Sequence, residues 1–106
     1  MSNIFEDRRI QLHHELVELL GSNNVYFQPP ESIKIKYPAI IYERENIVDT
    51  LADNIKYLKN LRFRVTVVDL DPDSIIVTKL SDFRNAQYIR HYVVDGLNHD
   101  TFRLCY

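Results

Sequence analysis

Four histidines, a single cysteine and a run of alternating aspartates are the residues of this chain with the most evident chemical capacity. His13 and His14 are adjacent, so a helix turns them to different faces, and neither a His-Glu-x-x-His nor a Cys-x-x-Cys spacing occurs to gather metal ligands. Asp69, Asp71 and Asp73 have the spacing that opens a calcium loop. The sixth position, however, holds Ser74 instead of glycine, and the twelfth holds Leu80 instead of glutamate. A turn followed by a helix cap is the simpler reading. Asp95, His99 and Asp100 fall in one expected turn and have the types of an acid–base group, but Asn98 and Asp100 are also residues that bond their own backbone in tight turns. There is no Gly-x-Ser-x-Gly elbow, and two glycines in the whole chain cannot build a phosphate-cradling loop. The residues therefore predict no catalytic group, no metal and no cofactor.

Surface chemistry is the other possibility. Lys56, Lys59, Arg62 and Arg64 are interleaved with Tyr57 and Phe63, the pattern of a nucleic-acid stripe with stacking aromatics. Two features oppose it. Strand alternation puts Arg62 and Arg64 opposite Phe63, and 13 basic against 15 acidic residues leave a net charge of −2. A solvated or subunit-facing edge fits better, and lysines on an edge also blunt unwanted strand pairing. Seven tyrosines and five phenylalanines with no tryptophan exceed what a small core must hold. Tyrosine is enriched at protein contacts because it joins an apolar body to a wet tip. An assembly surface is the natural use for some of them.

The elements that would position these residues are legible in outline. Ile4 to Leu20 reads as a helix, with Phe5, Leu12, Leu16, Leu19 and Leu20 as its apolar stripe and Gly21 as its stop. Val25 to Gln28 is a short strand ended by Pro29-Pro30, and Pro38 opens a second strand, Ala39 to Glu45. Asn46 to Asn60 reads as a long hairpin with its tip near Leu51 to Asn54, where Asp53-Asn54 signals a turn. Leu61 to Leu70 is the clearest strand, with Leu61, Phe63, Val65 and Val67 on one face. Asp71-Pro72 then predicts a helix start, Asp71 as N-cap and Pro72 at the first helical position. Ile76, Leu80 and Phe83 form that helix's buried stripe. Gln87 to Val94 and Thr101 to Tyr106 close the sheet, joined by Asp95 to Asp100. The predicted core is Leu12, Leu16, Leu19, Ile41, Phe63, Val65, Val67, Ile76 and Leu80.

At 106 residues this is one domain, residues 1–106. The predicted fold is α+β: a mostly antiparallel sheet of four to five strands with two helices on one face. The sheet's other face then needs cover, and another subunit is the expected cover. No apolar run approaches the roughly 18 residues of a membrane span. The charged start, Met1 to Gln11, lacks the apolar stretch of a signal peptide, and a lone Cys105 suits a reducing compartment.

Three blocks together, Asn24 to Glu43, Asp69 to Ser74 and Arg90 to Tyr106, resemble the small tail-completion or tail-terminator proteins of long-tailed bacteriophages. The Arg90 to Phe102 block is the most specific, and Cys105 departs from the apolar or aromatic residue expected there. The resemblance implies a structural virion protein, made in the host cytoplasm, with no enzymatic site. It implies a homohexameric ring at the head-proximal end of the tail tube that ends tube polymerisation and mediates head–tail joining. Its partners would be itself, the tail-tube protein and the head connector or stopper, with DNA only passing through the lumen. Head-completion stopper proteins are equally compatible. Candidate contacts to a neighbour or to the tube are Asp53, Asn54, Lys56, Tyr57, Lys59 and Arg62. Two readings from other classes stand beside it: a nucleic-acid-binding accessory module using the Lys56–Arg64 segment, and a small enzyme built around Asp95, His99 and Asp100.

Overall fold

The computed structural model describes residues 3–52 and 56–106, with backbone alone for 48–52 and 56–59. Helix α1, Ile4–Leu20, begins at Asn3, whose side-chain oxygen accepts from the Phe5 and Glu6 N–H groups at 3.2 Å each. Glu6 and Asp7 in its first turn complement the positive end of the helix. It stops at Gly21, whose φ of 84° is the left-handed conformation in which its N–H reaches the Val17 carbonyl. The chain then forms β1 (Val25–Phe27), β2 (Ala39–Ala52) and β3 (Lys56–Asp69), followed by α2 (Ile75–Ser81), β4 (Gln87–Val94) and β5 (Leu97–Cys105).

The five strands make one sheet in the order β1-β2-β3-β5-β4. Only β1 runs parallel to its neighbour, pairing Val25 with Ile40 and Phe27 with Tyr42. The other pairings are antiparallel, so the fold is α+β with a mixed, mostly antiparallel sheet. Both helices lie on one face. Leu12, Leu16 and Leu20 of α1 and Ile76 and Leu80 of α2 pack with Ile40, Tyr42, Leu61, Phe63, Val65, Val67, Phe102 and Leu104 of the strands. The i, i+4 spacing of the three leucines sets one buried stripe along α1. Leu19, one step off that stripe, is only partly buried.

Three expectations are corrected. The second helix does not start at Asp71-Pro72. Its N-cap is Ser74, whose hydroxyl accepts from the Ile76 N–H at 3.2 Å. Asp69 and Asp71 instead fold the preceding turn, accepting from the N–H groups of Asp71 and Asp73 at 3.0 and 2.9 Å. The aspartates won locally because each bonds two residues ahead before any helix is formed. Phe83 consequently follows the helix and packs against the core only in part. Second, the last hairpin turns on Asp95-Gly96, both with positive φ (53° and 76°), which returns Leu97 to Asp100 to strand β5. Third, Ile41 is not in the core. The register Ile40↔Val67 and Tyr42↔Val65 gives the helix face to its neighbours.

The face away from the helices is polar along its centre. A register shift between Arg44 and Asn46 marks a bulge in β2 that holds Glu45. Glu45 bridges two arginines of neighbouring strands, reaching Arg103 Nε at 2.9 Å and an Arg64 terminal nitrogen at 3.2 Å. An antiparallel sheet tolerates water on such a face. The expectation that it needs a cover therefore loses its premise.

Candidate assembly surface

The long hairpin is continuous with the sheet. β3 pairs with β5 only from Arg62 to Asp69, and β1 meets β2 only at residues 40–42. From Val48↔Asn60 to Ala52↔Lys56 the two arms pair with each other alone among the described residues. At about 3.4 Å per residue, the paired residues of each strand from Val48 to Ala52 and Lys56 to Asn60 extend roughly 17 Å past the rest of the sheet. The radius of gyration, 14.8 Å, and a long axis of 50 Å reflect that projection; a compact chain of this length has a radius of about 13 Å. A lone two-stranded ribbon is marginal in water.

Of the sequence-predicted contact residues, Asp53 and Asn54 lie outside the described residues. Lys56, Tyr57 and Lys59 are placed on the arm by their backbone, opposite Ala52, Leu51 and Asp49. Arg62 stands where arm meets body, opposite both Asn46 and Cys105. Its side chain is half-buried, and Nε is buried with no hydrogen-bond acceptor among the described residues. Three of the six are thus brought to one end of β2 and β3 by their backbone. Arg62 alone has a described side-chain environment.

A second exposed feature was missed by sequence reasoning. β4 is an edge strand that pairs only with β5 among the described residues. Along it Tyr88, Ile89, Val93 and Val94 are 50, 40, 56 and 48% exposed. Such an edge offers unpaired backbone groups beside apolar side chains, and proteins ordinarily protect it. The Asp95-Gly96 pair could have revealed it, because Asp-Gly between apolar runs is the strongest short hairpin signal.

β4 is fixed from inside by polar groups. The Tyr88 hydroxyl donates to Asp100 Oδ1 at 2.7 Å, and Asp100 is 8% exposed. Desolvation first, and then this bond to the carboxylate, push the Tyr88 phenol up to about 12. Asn98, also buried, donates to the Asp69 and Leu70 carbonyls at 3.3 and 3.2 Å and bonds His91 Nε2 at 3.1 Å. It ties the end of β3 to the last hairpin, a role its sequence context did not signal.

The constellations weighed for chemistry are dispersed. His99 stacks on Tyr92 at 4.7 Å, Asp100 faces Tyr88, and Asp95 lies in the turn. Adjacent strand residues point to opposite faces, so the three do not converge. His13 shares a 2.7 Å hydrogen bond with the buried Tyr42 hydroxyl. Desolvation, with Arg9 and His14 nearby, holds its pKa below the ordinary histidine value. No three metal-ligating side chains come together among the described residues. In the basic stripe, Phe63 is 1% exposed under α1 and cannot stack on a base. No described helix is long and apolar enough to cross a membrane. Compared with known proteins, the chain matches no family model, no curated protein and no solved structure.

Proposed function

We propose that this chain is a structural assembly protein of a long-tailed bacteriophage that forms a ring at the head-proximal end of the tail tube. There it ends tube polymerisation and joins the tail to the head connector. The resemblance of the Asn24–Glu43, Asp69–Ser74 and Arg90–Tyr106 blocks supplies the family. The observation that carries the reading is the arm: two strands that, among the described residues, pair only with each other beyond Ile47↔Leu61. A ribbon that is marginal alone is stabilised when a neighbour pairs or packs on it. A heterologous contact of this kind, repeated with rotation, closes a ring. Six-fold symmetry comes from the resemblance.

The decisive test is a chain with residues 50–56 replaced by a short turn, produced in an otherwise complete phage. The expected result is a folded protein, with tubes of uncontrolled length or tails that do not join heads. Normal tails with the shortened arm would overturn the proposal, as would a virion reconstruction with other than six copies per tail.

A further inference from the structure

We propose that the open face of the sheet carries a docking site for an acidic segment of a protein partner. The site is a concavity of about 420 Å³ between β3, β5 and β4, lined by Arg64, Arg90, Arg103, Thr66, Thr101 and Tyr92. Arg64 and Arg103 stand directly opposite each other in neighbouring strands. Like charges so placed repel, and Glu45 holds them apart by bonding Arg103 Nε and pairing with Arg64. A guanidinium has five N–H donors, so Glu45, shared by both, and Glu43, 3.8 Å from Arg64, still leave donors of each fork available. Arg90 lies over the Tyr92 ring at 4.7 Å and has no carboxylate partner among the described residues. The hydroxyls of Thr66 and Thr101 make only a long 3.4 Å contact with each other, which leaves both able to serve a ligand. Three guanidinium groups against Glu43 and Glu45 leave the concavity net positive.

The occupant follows from what surrounds these donors. Glu43, 56% exposed in its side chain and 3.8 Å from Arg64, lines the same concavity. With Glu45 it repels a continuous phosphodiester chain but tolerates single carboxylates set among uncharged residues. Tyr92 is engaged by His99 and Arg90 and offers no ring for a base. Ile89, 40% exposed, supplies an apolar lining for a side chain beside the carboxylate. Planar guanidinium forks match carboxylates two bonds at a time. A mixed acidic and apolar peptide satisfies all of these features, whether or not the partner belongs to a phage tail.

The probe is a blocked peptide of alternating glutamate and valine, titrated into the full ¹⁵N-labelled chain at low ionic strength, where screening is weak. Saturable shifts are expected at the amides of Thr66, Arg90, Thr101 and Arg103. Arg90→Gln, at an exposed position, is expected to weaken binding about tenfold through loss of a charge-assisted bond, with the remaining spectrum unchanged. The same peptide with glutamine for glutamate should not bind. Absence of shifts at these amides, or equal binding by the Arg90→Gln chain, overturns the site. Tighter binding of an oligothymidylate than of the peptide overturns the choice of partner.

Discussion

Ser74 and His13 each decide something out of proportion to their size. Ser74 is 6% exposed and its hydroxyl accepts from the Ile76 N–H in the first turn of α2. Ser74→Ala is expected to cost about 0.5–2 kcal/mol in chemical denaturation. Asp71→Ala, in an exposed turn, is expected to stay within about 0.5 kcal/mol; a larger loss at Asp71 than at Ser74 would return the cap to the aspartate. His13 gives a pH dependence. Its folded-state pKa lies below the ordinary 6.5, so the unfolded chain binds the proton more readily. Stability then rises with pH through this window. His13's contribution is complete above about 6.5 and is lost as the pH falls towards the lower folded value. The melting temperature should fall between about pH 7 and about pH 5. In His13→Gln that fall should be smaller; an identical slope in both chains would remove His13 as its source.

At the scale of elements, α1 is a single leucine stripe on a sheet, and Leu16, fully buried, is at its centre. Leu16→Ala is expected to cost about 2–5 kcal/mol as a cavity, read as a drop in melting temperature; little change would mean that the stripe does not hold the helix down. Both helices, and the strands at the centre of the sheet, were legible because their period is long enough to count. α1 runs from an Asn cap to a Gly stop, and Leu61 to Val67 alternate without a break. Ile40, Ile41 and Tyr42 are three apolar residues in a row, so parity could not choose the inward pair; only the register against β3 does. The second helix start failed for a different reason. Asp71-Pro72 is good cap chemistry, but Asp69 and Asp71 close local turns first, and Ser74 inherits the role. The six contact residues were chosen from composition and turn signals. The backbone of Lys56, Tyr57 and Lys59 lies on the arm, whereas the apolar edge of β4 depended on seeing that Asp95-Gly96 alone makes the turn.

At the scale of the whole molecule, strand order is the feature with the widest reach. β5, last in sequence, lies inside the sheet between β3 and β4. Phe102 and Leu104 are in the core, the Leu61 and Tyr106 backbones exchange hydrogen bonds, and the Tyr106 hydroxyl donates to Glu15 of α1. β5 is therefore the closing stave of the sheet. During synthesis, β4 has no partner until Leu97 and the residues after it leave the ribosome, and α1 has only part of its floor. Folding must therefore wait for β5, and a product cut short just before Phe102 should be a protease substrate. Deleting Phe102–Tyr106 is expected to abolish the cooperative unfolding transition, whereas adding a flexible tag after Tyr106 should leave it intact. Synthesis through β5 is thus a condition of the fold: a chain that stops before Phe102 lacks a strand from inside its sheet and part of the floor of α1.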